Sequence, residues 1–204
     1  MKIVEPSAKL LWNTFAPECE IESAGRTCYK SEDDITEGTA EEFIRMIIKR
    51  GHESVLEHAS ASFRIITDRG ISHEIVRHRL ASYSQESTRY CNYSKEKFGK
   101  EITVIKPSGI EGGDEAIWTV SIMEAEKNYF ELLERGCSPQ QARSVLPTCL
   151  KTELVMTCNF REWRHFLKLR MPVAAHPDIR IIAEEIWKQL WTIAPSVFSL
   201  ETLR

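Results

Sequence analysis

The hydrophobic spacing of this chain switches between helical and extended period in an irregular order, and that order limits the folds open to it. Strand candidates at residues 59–67 (ASASFRIIT), 102–105 and 150–157 fall among helical stretches without the strand-helix-strand repeat of a doubly wound sheet. An α+β fold is the expectation. Thr39-Ala40-Glu41-Glu42 has the form of a capping box opening a helix through Phe43, Ile44, Ile47 and Ile48, which Gly51 ends. Ile71, Ile75 and Val76 suggest a short helix over residues 72–79. It runs straight into residues 77–89, RHRLASYSQESTR, whose polar, Ser- and Tyr-rich character reads as a loop. Residues 114–135 give a long helix with Ile117, Val120, Met123, Tyr129, Leu132 and Leu133 as its apolar stripe, closed by Gly136. Ser138-Pro139-Gln140-Gln141 combines an N-cap, a first-turn proline and a capping-box glutamine for a brief helix that carries Arg143 and stops before Pro147. Asn159 caps a helix to about residue 170, with Glu162 at its third position, and the last major helix follows His176-Pro177 with Ile179, Ile182, Ile186 and Leu190 on one face.

With no repeat, low-complexity tract or Ser/Gly-rich linker, residues 1–204 read as a single domain; the loosest stretch is residues 106–113, KPSGIEGG. Hydrophobic residues at 42% and charged ones at 28% exclude a disordered or fibrous chain. The net charge of -3 argues against wholesale nucleic-acid binding, so any basic site has to be local. Nothing approaches the run of about 20 apolar residues that a membrane helix needs, and the N-terminus has no leader-like apolar stretch, so a soluble, cytoplasmic protein is expected. The cysteines at 19, 28, 91, 137, 149 and 158 form no C-x-x-C pair and read as free thiols, mostly small buried apolar groups. His52, Glu53, Glu57 and His58 lack the H-E-x-x-H spacing, the two histidines standing about 240° apart on a helix, and no metal site is expected.

Residues 77–89 hold the groups that phosphate recognition uses: Arg77, Arg79 and Arg89, whose planar forks make paired charge-assisted bonds, with the hydroxyls of Ser82, Ser84 and Ser87. On a helix Arg77 and Arg79 diverge by about 200°, which points to two different partners. On these residues alone a solvated basic turn is an equal reading, and a module for RNA or another polyanion is a rival that the net acidity disfavours. Cys149, in Leu146-Pro147-Thr148-Cys149, invites comparison with Cys-dependent uracil methylation but has no base placed beside it in sequence. His52 has a side chain suited to proton transfer near neutral pH and equally to a structural role.

The pattern Arg77-His78-Arg79, seven residues, Ser87, one residue, Arg89 resembles the signature of the flavin-dependent thymidylate synthases. Gly51-His52-Glu53-Ser54 with Glu57-His58, Gln141-Ala142-Arg143, Asn159 and Leu169-Arg170 are similar to further family positions along nearly the whole chain. The resemblance implies a central, mostly antiparallel sheet flanked by helices, and a cytoplasmic homotetramer with active sites shared between subunits. It implies FAD as cofactor, NADPH as its reductant, 5,10-methylenetetrahydrofolate as carbon donor, and reductive methylation of dUMP to dTMP. Carried over residue by residue, Ser54, Glu57, Arg77, His78, Arg79, Gln85, Asn159, Arg161 and His165 contact the flavin. Glu74, Arg77, Gln85, Glu86, Ser87, Thr88, Arg89, Arg143 from another subunit, and Arg170 meet the nucleotide. This chain departs from the common pattern at Glu74, Gln85, Arg161 and His165. The catalytic candidates are Arg170, a fixed cation that favours loss of the pyrimidine N3 proton, His52 and Ser87. Ser87 reads as a phosphate donor, because no base stands beside it to make an alkoxide.

Overall fold

The computed structural model describes residues 1–203. In chain order its elements are β1 (Lys2–Ile3), β2 (Ser7–Asn13), α1 (Pro17–Tyr29), α2 (Thr39–Lys49), β3 (Ser60–Asp68), α3 (Arg69–Ile75), β4 (Ser82–Gln85), β5 (Thr103–Val104), α4 (Gly112–Glu134), α5 (Pro139–Ala142), β6 (Lys151–Asn159), α6 (Phe160–Arg170), α7 (Pro177–Ile193), α8 (Pro195–Phe198) and α9 (Leu200–Leu203), with a 3-10 turn over Glu53–His58. The main sheet has strand order β2-β3-β6-β4. Phe160 N–H donates to Ala59 O at one end of the β3/β6 pair and Arg69 N–H to Leu150 O at the other, so these strands run antiparallel. A second, two-stranded sheet pairs β1 with β5 in parallel, Lys2 opposite Thr103 and Ile3 opposite Val104. The α+β class and its mostly antiparallel sheet are as expected. Among the described residues no helix is long and apolar enough to cross a membrane.

The chain gathers into two compact units, one from residues 1–6, 66–77 and 84–154, the other from residues 7–65, 78–83 and 155 onward. The first unit is centred on Tyr93, Ile102, Val104, Ile122, Tyr129 and Leu150, and its N-terminal ammonium is held by Glu126 at 2.9 Å and Glu101 at 3.2 Å. In the second, Phe63 of β3 meets Trp163 of α6 edge-on at 5.1 Å between ring centroids, and Phe160 meets Phe198 at 5.0 Å. Trp163 satisfies its indole N–H on Ala61 O at 3.1 Å, so the largest side chain of that core is buried at no polar cost. Ile179, Ile182, Ile186 and Leu190 of α7 are fully buried, as their spacing predicts.

Several local expectations are corrected. The helix expected over residues 72–79 begins earlier, because Asp68 caps it by accepting from Ile71 N at 2.7 Å, and it stops at Ile75. Arg77 and Arg79 are therefore not on a helix, and the angular argument for their divergence falls. The stretch read as a loop contains β4, an edge strand of the sheet, and just past its end Glu86 donates its N–H to Glu153 O of β6. An edge strand with one open face tolerates the polar sequence SYSQ, which hydrophobic alternation cannot reveal. Thr39 is the first residue of α2 instead of its cap; Gly38, at φ 87°, takes the cap position, and the Thr39 hydroxyl donates to Glu22 at 3.0 Å. On α4 the buried residues are Ile122 and Tyr129, while Ile117, Val120 and Met123 are 70%, 67% and 56% exposed. Cys149 and Cys158 are buried, Cys91 and Cys137 partly so, and Cys19 and Cys28 are exposed, so the small-apolar reading holds for a minority of the thiols. Nothing in the hydrophobic spacing before residue 39 marks β2 or α1.

Gly25 of α1 lies where a Cβ would stand 2.5 Å from Cε1 and Cζ of the buried Phe43 ring. The Arg26 guanidinium over that ring, 4.8 Å from its centroid, leaves it little room to retreat. Gly25→Ala is expected to destabilise the fold by about 1–3 kcal/mol despite the better helix propensity of alanine, measured as a lowered urea midpoint at unchanged slope.

Candidate functional site

The turn from β6 into α6 builds the centre of the second unit. Asn159 ends the strand and caps the helix, its side chain accepting from Glu162 N at 2.9 Å while Phe160 N–H is held by Ala59 O. This junction sets the rotation of α6. Phe160, Trp163, Phe166 and Leu167 turn inward, and Arg161, His165 and Lys168 turn out. In a capping box the Glu162 carboxylate would return to the cap backbone. Here it goes instead to the buried imidazole of His78, whose Nδ1 lies 3.3 Å from Glu162 Oε1.

The other ring nitrogen, His78 Nε2, is 3.2 Å from Arg170 Nε. A guanidinium can only donate, so Nε2 accepts and the single ring proton sits on Nδ1, pointing at Glu162. Burial above all, then the positive charge of Arg170 and of His165, lowers the His78 pKa from 6.5 to about 4, so the ring is neutral at physiological pH. Tyr83 donates its hydroxyl to the His78 carbonyl at 2.8 Å, fixing the backbone where the helix of α3 has already ended. The rings of His165 and Phe166 lie edge-on to His78 at 5.6 and 4.9 Å. His78, Glu162 and His165 are the one group of potential metal ligands among the described residues. Both nitrogens of His78 are already committed and Arg170 lies alongside, so the cluster is poorly suited to a cation.

A cavity of about 600 Å³ opens beside this cluster, lined among others by Glu57, Leu80, Asn159, Arg161, His165 and Lys168. Its carboxylates already face cations or imidazole: Glu57 with Arg161 at 2.6 Å, Glu53 with Arg164 at 3.1 Å, and Glu162 with His78. Lys168 adds positive charge to that lining. Asn159, Arg161, His165 and Lys168 thus offer amide, guanidinium, imidazole and ammonium donors around one space. This donor set fits an anionic cofactor that also presents ring heteroatoms. Arg79, exposed, lines an adjoining cavity with Glu57 and Asn159. Ser54 shares the Glu53–His58 turn with Glu57. His52, exposed just before that turn, has its Nδ1 3.1 Å from the Tyr29 hydroxyl.

The first unit gathers the remaining candidates. Glu74 lies on α3, and Arg77, past its end, donates its backbone N–H to Glu74 O at 3.3 Å. Gln85 gives its amide to Ser72 at 2.9 Å and Thr152 at 3.1 Å; Glu86 is bound by Lys151 at 2.9 Å and Tyr93 at 3.1 Å. Ser87 accepts from Arg89 N at 3.3 Å, and the Arg89 guanidinium stands 5.3 Å from the Tyr90 ring centre. Thr88, buried, accepts from Arg143 Nη1 at 3.2 Å within the same chain. Cys149 is 8% exposed, and burial pushes its thiol pKa up, the wrong direction for a nucleophilic thiolate.

Sequence reasoning missed Glu162, Tyr83 and Arg164 as parts of this arrangement. Glu162 was legible only as a helix-start residue, yet it shares one stripe of α6 with Phe166 and Arg170 at four-residue steps, a spacing that could have linked it to Arg170.

A profile of the family described as thymidylate synthase complementing protein matches residues 9–196. A flavin-dependent thymidylate synthase of Mycolicibacterium gilvum (strain PYR-GCK) is 40% identical over 199 residues, covering 88% of this chain and 77% of that protein. One of Mycobacterium tuberculosis (strain CDC 1551 / Oshkosh) is 39% identical with the same coverage. Among solved structures, a UMP/dUMP methylase, PolB from Streptomyces cacaoi bound with 5-Br dUMP, matches with a TM-score of 0.81 at 23% identity, covering 99% of this chain and 96% of that one. At that identity the likeness speaks for the fold.

The neutral state of His78 has a measurable consequence. Between about pH 6.5 and about pH 4 the unfolded chain holds a proton on this ring that the folded protein excludes, so stability present above pH 6.5 is lost as pH falls through that window. The slope from this one group approaches about 1.4 kcal/mol per pH unit. Urea midpoints of the wild type and of His78→Gln, compared at about pH 7 and about pH 5, should show the loss on acidification to be smaller in the variant; equal losses would assign the excluded proton elsewhere.

Proposed function

Because this chain belongs to the family of flavin-dependent thymidylate synthases, we propose that it carries out the reductive methylation of dUMP to dTMP with FAD as cofactor, 5,10-methylenetetrahydrofolate as carbon donor and NADPH as reductant. It is an enzyme of the flavin-dependent, dUMP-methylating type. The observation that carries the reading is the buried, neutral His78 accepting from Arg170 beside a cavity edged with Asn159, Arg161, His165 and Lys168. FAD held by these residues would supply hydride-transfer chemistry, with NADPH as the source of the reducing equivalents.

The residues assigned to the flavin are Ser54, Glu57, His78, Arg79, Asn159, Arg161 and His165, with Arg77 and Gln85. Their donors suit the pyrophosphate and the ring edge, and Leu80 adds apolar surface to the same cavity. Glu74, Arg77, Gln85, Glu86, Ser87, Thr88, Arg89 and Arg143 are assigned to dUMP. Arg89 and Arg143 supply the planar charged forks that a phosphate prefers, and Ser87 a hydroxyl donor. Arg170 is assigned to the pyrimidine. A fixed cation there lowers the cost of removing the N3 proton and shifts electron density toward C5, where the new bond forms. His78 takes the Nε–H of Arg170 without competing for its charge, since the ring stays neutral. No protein nucleophile is needed: the buried Cys149 favours the neutral thiol. His52, tied to Tyr29, is assigned a proton-transfer role at the margin of the cofactor turn.

The chain acts as one functional domain in a cytoplasmic homotetramer. The exposed Ile117, Val120 and Met123 of α4 support subunit association, because side chains of this size in one run are covered in most stable proteins.

The reading is tested by the visible spectrum of purified protein with added FAD, before and after anaerobic NADPH. Bound flavin that bleaches is expected; protein that takes up no flavin would overturn the reading. Arg170→Ala should keep its flavin yet lose turnover of dUMP by about 100-fold or more. Full turnover by that variant would remove Arg170 from the chemistry.

A further inference from the structure

We propose that Glu162 is a positioning residue for the pyrimidine-activating cation, holding Arg170 in place through His78; the inference rests on the role given to Arg170 above.

The argument is one of donors and acceptors. Arg170 Nε–H, 3.2 Å from His78 Nε2, requires a bare nitrogen there. A neutral imidazole has two tautomers, and the other one sets N–H against N–H and breaks the contact. A carboxylate accepts only, so Glu162, 3.3 Å from His78 Nδ1, selects the tautomer that suits Arg170. Both His78 and Glu162 are buried, 4% and 6% exposed, so water is poorly placed to substitute for either partner. Burial raises the Glu162 pKa above the ordinary carboxylate value, and the neighbouring His165 partly offsets that rise.

The placement is equally specific. Glu162, Phe166 and Arg170 follow one another at four-residue steps along α6, and His78 touches all three, its ring 4.9 Å from that of Phe166. Side chains on a helix lean toward its N-terminus, so Arg170 reaches back along this stripe toward His78. A guanidinium tied at Nε keeps its two terminal nitrogens as a planar fork with one orientation. Glu162 thus spends its side chain on His78 across 84 positions of sequence instead of on its own helix end.

The test uses the flavin-loaded enzyme. In protein labelled with 15N-histidine, His78 should show a protonated Nδ1 and a bare Nε2, and Glu162→Gln should mix the tautomers. The same variant should retain flavin and thermal stability, hold its KM for dUMP within about threefold, and lose kcat on the order of 10- to 100-fold, the scale of a misplaced catalytic group. In an Arg170→Lys background, where the Nε contact is already gone, Glu162→Gln should cost less than about twofold more. Losses that multiply, or a Glu162→Gln kcat within about twofold of wild type while Arg170→Ala is inactive, would overturn the inference alone. A fully active Arg170→Ala would overturn the role of Arg170 and the inference with it. Should Glu162→Gln fail to fold, the wild-type ring decides: a proton on Nε2 rules the inference out.

Discussion

The second unit depends on the junction at Asn159, where a strand becomes a helix without an intervening loop. The cap bond to Glu162 N and the bond from Phe160 N to Ala59 O leave α6 no freedom to rotate about its axis. A cap of this kind is worth about 1 kcal/mol, a modest share of the stability of a domain. Its geometric effect is larger. One rotation sends Trp163 against Phe63, lays Glu162 and Arg170 along His78, and leaves Arg161, His165 and Lys168 to edge the cavity. A helix turned by one residue position, about 100°, would put charged side chains in the core.

Placing charge inside this unit is costly, and the structure meets the cost in two ways. His78 is kept neutral, so its burial needs only directional partners, which Glu162, Arg170 and Tyr83 supply. Arg164 stays charged though almost fully buried, and is compensated by Glu53 at 3.1 Å and by the carbonyls of Val197 and Thr202. That second arrangement ties the 3-10 turn that begins at Glu53 to the C-terminal helices. The same α6 therefore organises one cluster around a neutral imidazole and one around a buried guanidinium.

These choices bear on the chemistry. Uracil methylation needs electron density at C5, and a chain whose candidate thiol, Cys149, is buried and held neutral has to raise it by other means. Cys149 and Cys158 are buried and pushed toward the neutral thiol, Cys158 strongly. A guanidinium held by a neutral acceptor is suited to the alternative: it keeps its full charge and loses its rotational freedom before substrate arrives. The nucleotide candidates of the first unit are likewise engaged beforehand, Glu86 with Lys151 and Tyr93, Thr88 with Arg143, Gln85 with Ser72 and Thr152.

Much of this protein is legible in its sequence wherever the signal is local. The capping pair Ser138 and Gln141, the Asn159 cap, the α7 stripe and the glycine after α4 each act within about one helical turn, and each is found in the structure. The Arg77 to Arg89 motif and the matches around it identified the family, because a run of fixed residue types needs no geometry to be read. Tertiary structure alone decided that α3 stops at Ile75, that SYSQ is an edge strand, that Ile117, Val120 and Met123 of α4 stay exposed, and that Glu162 serves His78 in place of its own helix end. Those outcomes depend on which surfaces become buried and on partners dozens of residues away, and neither leaves a periodic trace in the chain.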